Sequence, residues 1–175
     1  MLASFPTPPE PHDAEFIEAK LLAPKVKQVF DRAPDAVAEG SESVVRTGPH
    51  SVTVNMTMLR SAYTPDHFEV REGDRVTFHL TNVETIRDMI HGFALPDHDL
   101  NIALAPGLTR TITVDAGKPG VYWYYCTNFC SALHLEMRGR MIVQPKDSTV
   151  ALPDWKAAQN VKGPVSGVPS TGAKQ

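Results

Sequence analysis

The sequence predicts an all-β antiparallel sandwich flanked by an irregular N-terminal arm and a flexible C-terminal tail. Three observations predict it. Short apolar–polar alternations recur from about residue 50, turn residues separate them, and no helical period runs through that part of the chain. In SVTVNMTML the alternation places Val52, Val54, Met56 and Met58 on one face. HFEVREGDRVTFHLTN reads as strand, turn, strand, with Glu72-Gly73-Asp74 as the turn. HGFALP, LTRTITV, GVYWYYC and RGRMIVQP continue the series, with turns at Pro106-Gly107 and Lys118-Pro119-Gly120. The sandwich is expected over residues 49–146. Met56, Met58, Met89 and Met141 read as core filling, as do Tyr122, Tyr124 and Phe129.

Residues 1–48 differ in composition. Pro6, Pro8, Pro9 and Pro11 hold the first stretch extended. AEFIEAKLLAPKVKQVF has the composition for one or two helical turns, interrupted at Pro24, and DRAPDAVAEGSE is small, acidic and loop-like. This region reads as a linker or an arm wrapping a neighbour. Residues 147–175 become rich in Gly, Pro, Ser and Ala after Trp155 and read as a mobile or partner-bound tail. No internal repeat is visible.

The 175 residues suit one domain with some tail left over, and 42% apolar with 21% charged residues is ordinary for a folded chain. A net charge of −3 lacks the basic footprint of nucleic-acid binding. No apolar run reaches the roughly 20 residues of a membrane span, so none is expected. MLASFPTPPEPHD has neither the basic start nor the apolar stretch of a signal peptide. The expectation is a soluble chain that is mature, cytoplasmic or excised from something longer.

Chemistry concentrates in Cys126-Thr-Asn-Phe-Cys130-Ser-Ala-Leu-His134-Leu-Glu-Met137, between two expected strands. Two cysteines four positions apart are too few and too close for a disulfide framework. Thiolates with imidazole favour copper or zinc over calcium or magnesium. A mononuclear blue-copper site takes one Cys, two His and a weak axial Met. Here a second Cys joins the His and Met, and two thiolates can bridge two copper ions. Each ion then needs its own imidazole. His134 supplies one, and the other comes from His12, His50, His67, His79, His91 or His98. His91 is the choice, because it opens HGFALP, before a Gly that relaxes the backbone. A local disulfide, a zinc site on Cys126, Cys130 and His134, and a strand-end role for His91 remain the plainer alternatives. A structural zinc prefers four firm ligands, which Met137 would not be.

The stretch from about Phe68 to Pro145 resembles the CuA-domain family shared by cytochrome oxidase subunit II and nitrous-oxide reductase. The likeness rests on Gly73-Asp74, His91-Gly92-Phe93, Pro106-Gly107, Lys118-Pro119-Gly120 with its following aromatics, and C-x3-C-x3-H-x2-M. It implies a cupredoxin-like Greek-key β-sandwich and a dinuclear CuA centre of two copper ions per chain. By that likeness Cys126 and Cys130 bridge the coppers, His91 and His134 cap one each, and Met137 and the backbone carbonyl of Asn128 are axial donors. Asp88, three residues before His91, is the expected partner of its imidazole. Trp123 reads as core packing, with assistance to electron transfer as the alternative.

WYYC…FC…ALHLEMRGRM is similar to nitrous-oxide reductase. The oxidase subunit usually carries Glu and Gly where this chain has Asn128 and Ser131, and the reductases often carry Trp at 128. The resemblance implies the periplasmic domain through which electrons enter a nitrous-oxide reductase, from a small cytochrome c or cupredoxin. It implies delivery to a catalytic copper cluster outside this chain, provided by a second subunit in a head-to-tail homodimer. Seven histidines without blade repeats cannot build that cluster, so no catalytic site of its own is expected. PTPPEPHDAEFIEAK resembles the linker after such a propeller, which favours a C-terminal piece. A free-standing CuA carrier and a soluble domain of oxidase subunit II are the alternatives.

Overall fold

A computed structural model of the chain describes residues 33–152 and 154–156. The helical turns expected within residues 14–30, His12 and the tail from 157 onward lie outside the described residues.

Among the described residues, eleven strands form two packed sheets. The first contains β1 (Ser43–Gly48), β2 (Ser51–Leu59), β3 (Ala62–Thr64), β5 (Arg75–Asn82), β8 (Thr109–Asp115) and β11 (Trp155–Lys156), in the order β11-β1-β2-β5-β8 with β3 on β2. The second contains β4 (His67–Arg71), β6 (His91–Leu95), β7 (Leu100–Leu104), β9 (Gly120–Tyr125) and β10 (Arg138–Gln144), in the order β4-β10-β9-β6-β7. The fold class is as expected: all-β, two-layered, with only two short 3₁₀ turns among the described residues.

The expectation of wholly antiparallel pairing needs correction. β2 lies parallel to β5, and β10 parallel to β4. The reason is visible at Glu72-Gly73-Asp74. This turn does not fold β5 back onto β4 but carries the chain across to the other sheet, so each strand takes a partner distant in sequence. Gly73 has φ +85, in the left-handed region where a side chain is strained. A second difference concerns the sandwich's extent. β1 lies within the expected arm, β11 within the expected tail, and Val37 N–H donates to Thr81 Oγ1 on β5.

Alternation explains the core. Val52, Val54, Met56 and Met58 on β2 face inward as predicted, against Val76, Phe78 and Leu80 of β5. Met141 is also buried, and Met89 packs against the core from its edge. At the centre Phe93 lies 5.4 Å from Tyr124, 5.5 Å from Phe78 and 5.8 Å from Tyr63, ring centre to ring centre. Such pairs contribute about 0.5–1.5 kcal/mol each beyond area burial. Tyr63 and Tyr124 satisfy their hydroxyls on the carbonyls of Gly92 and Pro65. This aromatic floor lies under the end of the sandwich where β6 starts and β9 stops.

Candidate metal centre

β9 and β10 pair antiparallel, and the register closes at Tyr125–Arg138. The loop between them is pinned at its base by Cys126 N–H to Met137 C=O, 2.9 Å. Its last residues form a short 3₁₀ turn, His134–Glu136, with Met137 N–H on His134 C=O at 3.1 Å. One tied loop therefore carries both cysteines, one imidazole and the thioether.

The geometry brings all six predicted residues together. Cys126 Sγ and Cys130 Sγ are 4.0 Å apart. Cys130 Sγ lies 3.7 Å from His134 Nδ1 and 3.7 Å from Met137 Sδ. The Asn128 carbonyl is 3.1 Å from Cys126 Sγ. His91, at the first position of β6, joins Cys126 and Cys130 with ligand atoms within 4.8 Å of one another. Both cysteines are free, and their separation is about twice a disulfide bond. His50, His67, His79 and His98 lie elsewhere, bonded to or facing Asp74, Asp66, Thr111 and the Asp115 carbonyl.

His91 supplies the test of whether a metal fits. It is fully buried, its Nε2 lies 3.2 Å from Glu84 Oε1, and its Nδ1 has no hydrogen-bond partner. A buried ring nitrogen left unpaired beside two thiols is costly unless a metal takes its lone pair. Soft sulfur, imidazole, thioether and carbonyl form a donor set suited to copper. Burial holds the His91 imidazole below its ordinary pKa, against the opposing pull of Glu84. Burial likewise raises the Cys130 thiol, with Cys126 adding to the rise, while Ser61 N–H and Ser131 lower it.

The buried carboxylate partner is Glu84, which the sequence reading missed. Asp88 is exposed and makes no contact with the imidazole. Proximity in sequence favoured Asp88, but the chain crosses between sheets over residues 83–90 and turns Glu84 inward. No spacing rule marks it. Two packing expectations also fail. Phe129 sits at the loop tip, 83% exposed, and Trp123 is 46% exposed because the β9 alternation points Tyr124 inward. Tyr122 is half-buried against the core as expected.

Gly92 is held by close approach. Its N–H is 3.3 Å from Cys126 Sγ, and a Cβ there would lie 2.5 Å from Thr127 N and 3.0 Å from Asn128 Oδ1. Gly92→Ala is expected to displace the Cys loop from β6 at about 1–3 kcal/mol. Thermal melting should show a drop in both apo and metal-loaded protein. Unchanged midpoints in both would mean that the loop yields freely.

One side of the centre is open. Trp123, Tyr125, Leu135 and Arg138 border a surface pocket of about 360 Å³ that reaches Cys126, His134 and Met137. Phe129 lies 5.8 Å from the His134 ring, and Leu133 and Leu135 are 62% and 81% exposed. His91 is sealed, whereas His134 meets an apolar rim.

Fold and site together define a β-sandwich domain with a buried cysteine–histidine cluster that could hold a metal. Residues 40–143 match the cupredoxin-like domain family. Among curated relatives, nitrous-oxide reductase of Cupriavidus necator is 42% identical over 144 residues, 82% of this chain and 22% of the relative. Cytochrome c oxidase subunit 2 of Thermus thermophilus is 31% identical over 133 residues, 76% of this chain and 95% of the relative. A chain from a heme-copper terminal oxidase dimer superposes with TM-score 0.52 at 22% identity, over 75% of this chain and 90% of that one, which supports the fold. The chain belongs to the cupredoxin-like domain family, and these relatives support a CuA-type electron-transfer domain within it. It spans about a fifth of the nitrous-oxide reductases it matches. No helix among the described residues is long and apolar enough to cross a membrane.

Proposed function

We propose that this chain is the periplasmic, electron-accepting domain of a nitrous-oxide reductase. Its ligands to two copper ions would be His91, Cys126, Cys130, His134, Met137 and the backbone carbonyl of Asn128. The observation that carries the reading is the unpartnered, buried Nδ1 of His91 beside two reduced cysteines, with a second imidazole and a thioether 3.7 Å from Cys130 Sγ. When bound, such a copper pair supplies a one-electron acceptor and donor whose charge is shared by both metals.

The chain's own residues do three things. Paired strand ends and the Cys126–Met137 bond keep the donors in one arrangement, so little has to move when charge changes. The aromatic floor covers the centre from the core side, where both cysteines and Met137 are buried. His134, partly exposed within an apolar rim, is the contact through which electrons pass to and from partner proteins. Those partners are a small cytochrome c or cupredoxin as donor, and a catalytic copper-cluster domain, from a second subunit, as acceptor.

The test is copper loading of the reduced chain, with metal analysis and electron paramagnetic resonance. Two coppers per chain and hyperfine lines from one electron shared equally are expected. A single copper with a localised signal would reduce the centre to a mononuclear one. Zinc binding in place of copper would end the electron-transfer reading. The 95% coverage of the Thermus subunit favours a second reading, an oxidase subunit domain or free-standing carrier. Electron delivery to a nitrous-oxide-reducing partner, against delivery to an oxidase, separates the two.

A further inference from the structure

The turn joining β2 to β3 touches the centre from outside the ligand set. Arg60 N–H donates to Glu84 Oε1 at 2.6 Å, and that same oxygen lies 3.2 Å from His91 Nε2. Ser61, the next residue, places its hydroxyl 2.6 Å from Ser131 Oγ, on the Cys loop beside Cys130. Ser61 adopts φ +67, one of only two non-glycine residues with positive φ among the described residues. The Arg60 amide of this left-handed turn points at a buried carboxylate, and the Ser61 hydroxyl at the Cys loop.

We infer that the Arg60–Ser61 turn is a positioning element for the metal centre, holding His91 through Glu84 and the Cys loop through the Ser61–Ser131 hydroxyl pair. This rests on the copper reading above. Glu84 is 2% exposed, and its Oε1 oxygen is shared between the Arg60 amide and the imidazole. The carboxylate therefore keeps the proton on Nε2 and leaves Nδ1 facing the cysteines. Without that oxygen, His91 is free to rotate or to carry its proton on the coordinating atom. Ser61 couples the same turn to the Cys loop, so the two halves of the ligand set share one brace.

Two experiments on the full chain test the brace. In the metal-free protein, proton NMR should show a downfield, slowly exchanging His91 Nε2–H. Glu84→Gln, which keeps an acceptor oxygen in place, should retain that signal, and Glu84→Ala should lose it. In the copper-loaded protein, release to a chelator should quicken about 10- to 100-fold in Glu84→Ala. Glu84→Gln should stay within a few-fold of wild type. Ser61→Gly tolerates the left-handed backbone and Ser61→Val does not, while both lack the hydroxyl. Val should therefore release copper faster than Gly.

Equal release from wild type and Glu84→Ala would overturn the inference, as would a wild-type His91 protonated at Nδ1 or indistinguishable Gly and Val variants. The proton measurement needs no metal. If the wild-type chain binds no copper while the Nε2–H signal behaves as described, the copper reading fails and the Glu84 contact stands.

Discussion

Cys126→Ser is expected to cut the copper held by the loaded chain from two ions to one or none and to erase the shared-electron spectrum. The sulfur at 126 receives Gly92 N–H at 3.3 Å, lies 3.1 Å from the Asn128 carbonyl and sits 4.0 Å from its companion. A serine hydroxyl is smaller and harder, and at neutral pH it stays protonated, so it cannot replace a bridging thiolate. Cys130 keeps His134 and Met137 within 3.7 Å and retains the means to hold a single ion. Metal analysis with electron paramagnetic resonance reads the change directly. Two coppers and an undisturbed spectrum in the serine variant would remove Cys126 from the bridge.

The second large effect is on stability. Asp74 is fully buried at the turn where the chain changes sheets, and Arg46 meets it through two nitrogens at 3.0 and 2.7 Å. Arg71 N–H adds a third bond at 2.8 Å. Asp74→Ala leaves the Arg71 amide without a partner and the guanidinium with only a 3.4 Å bond to the Pro49 carbonyl. Breaking buried pairs costs about 3–5 kcal/mol, and the 29% exposure of Arg46 argues for the lower end. A domain of this size should then melt roughly 10 °C lower.

The pH dependence follows from the same group. Burial alone would raise the Asp74 carboxyl, but the Arg46 guanidinium and the Arg71 amide outweigh it and hold the pKa below the ordinary 3.8. With the folded value depressed, the contribution is complete above the unfolded pKa and disappears as pH falls through the folded one. Acid unfolding followed by circular dichroism should lose this limb in Asp74→Asn. Identical acid profiles for wild type and variant would show that the pair is not what resists acid.

The gathering of candidate donors on one loop was legible because four side chains sit within twelve residues of one hairpin, where spacing in sequence approximates spacing in space. His91 required a motif, since it enters from a different strand. Glu84 was illegible for a physical reason. Its role depends on a crossing between sheets that turns it inward while Asp88, nearer to His91 in sequence, faces solvent. Trp123 could have been placed correctly from alternation alone, since its neighbour Tyr124 fills the inward position. Phe129 was misjudged by treating aromatic character as burial, although a loop tip has no core to enter. The parallel pairings escaped because strand order depends on which sheet each turn feeds, and a strand-turn-strand pattern does not record that.

β11 has a consequence beyond completing a sheet. Trp155 pairs with Val44, Lys156 with Ser43, and Asp154 accepts Arg46 N–H, so the chain's own late segment occupies the outer edge of β1. An uncovered edge of that kind is a template on which a second molecule can add a strand. Covering it internally makes residues 154–156 a guard against runaway self-association. Protection of that one edge is therefore vested in a short segment late in the chain.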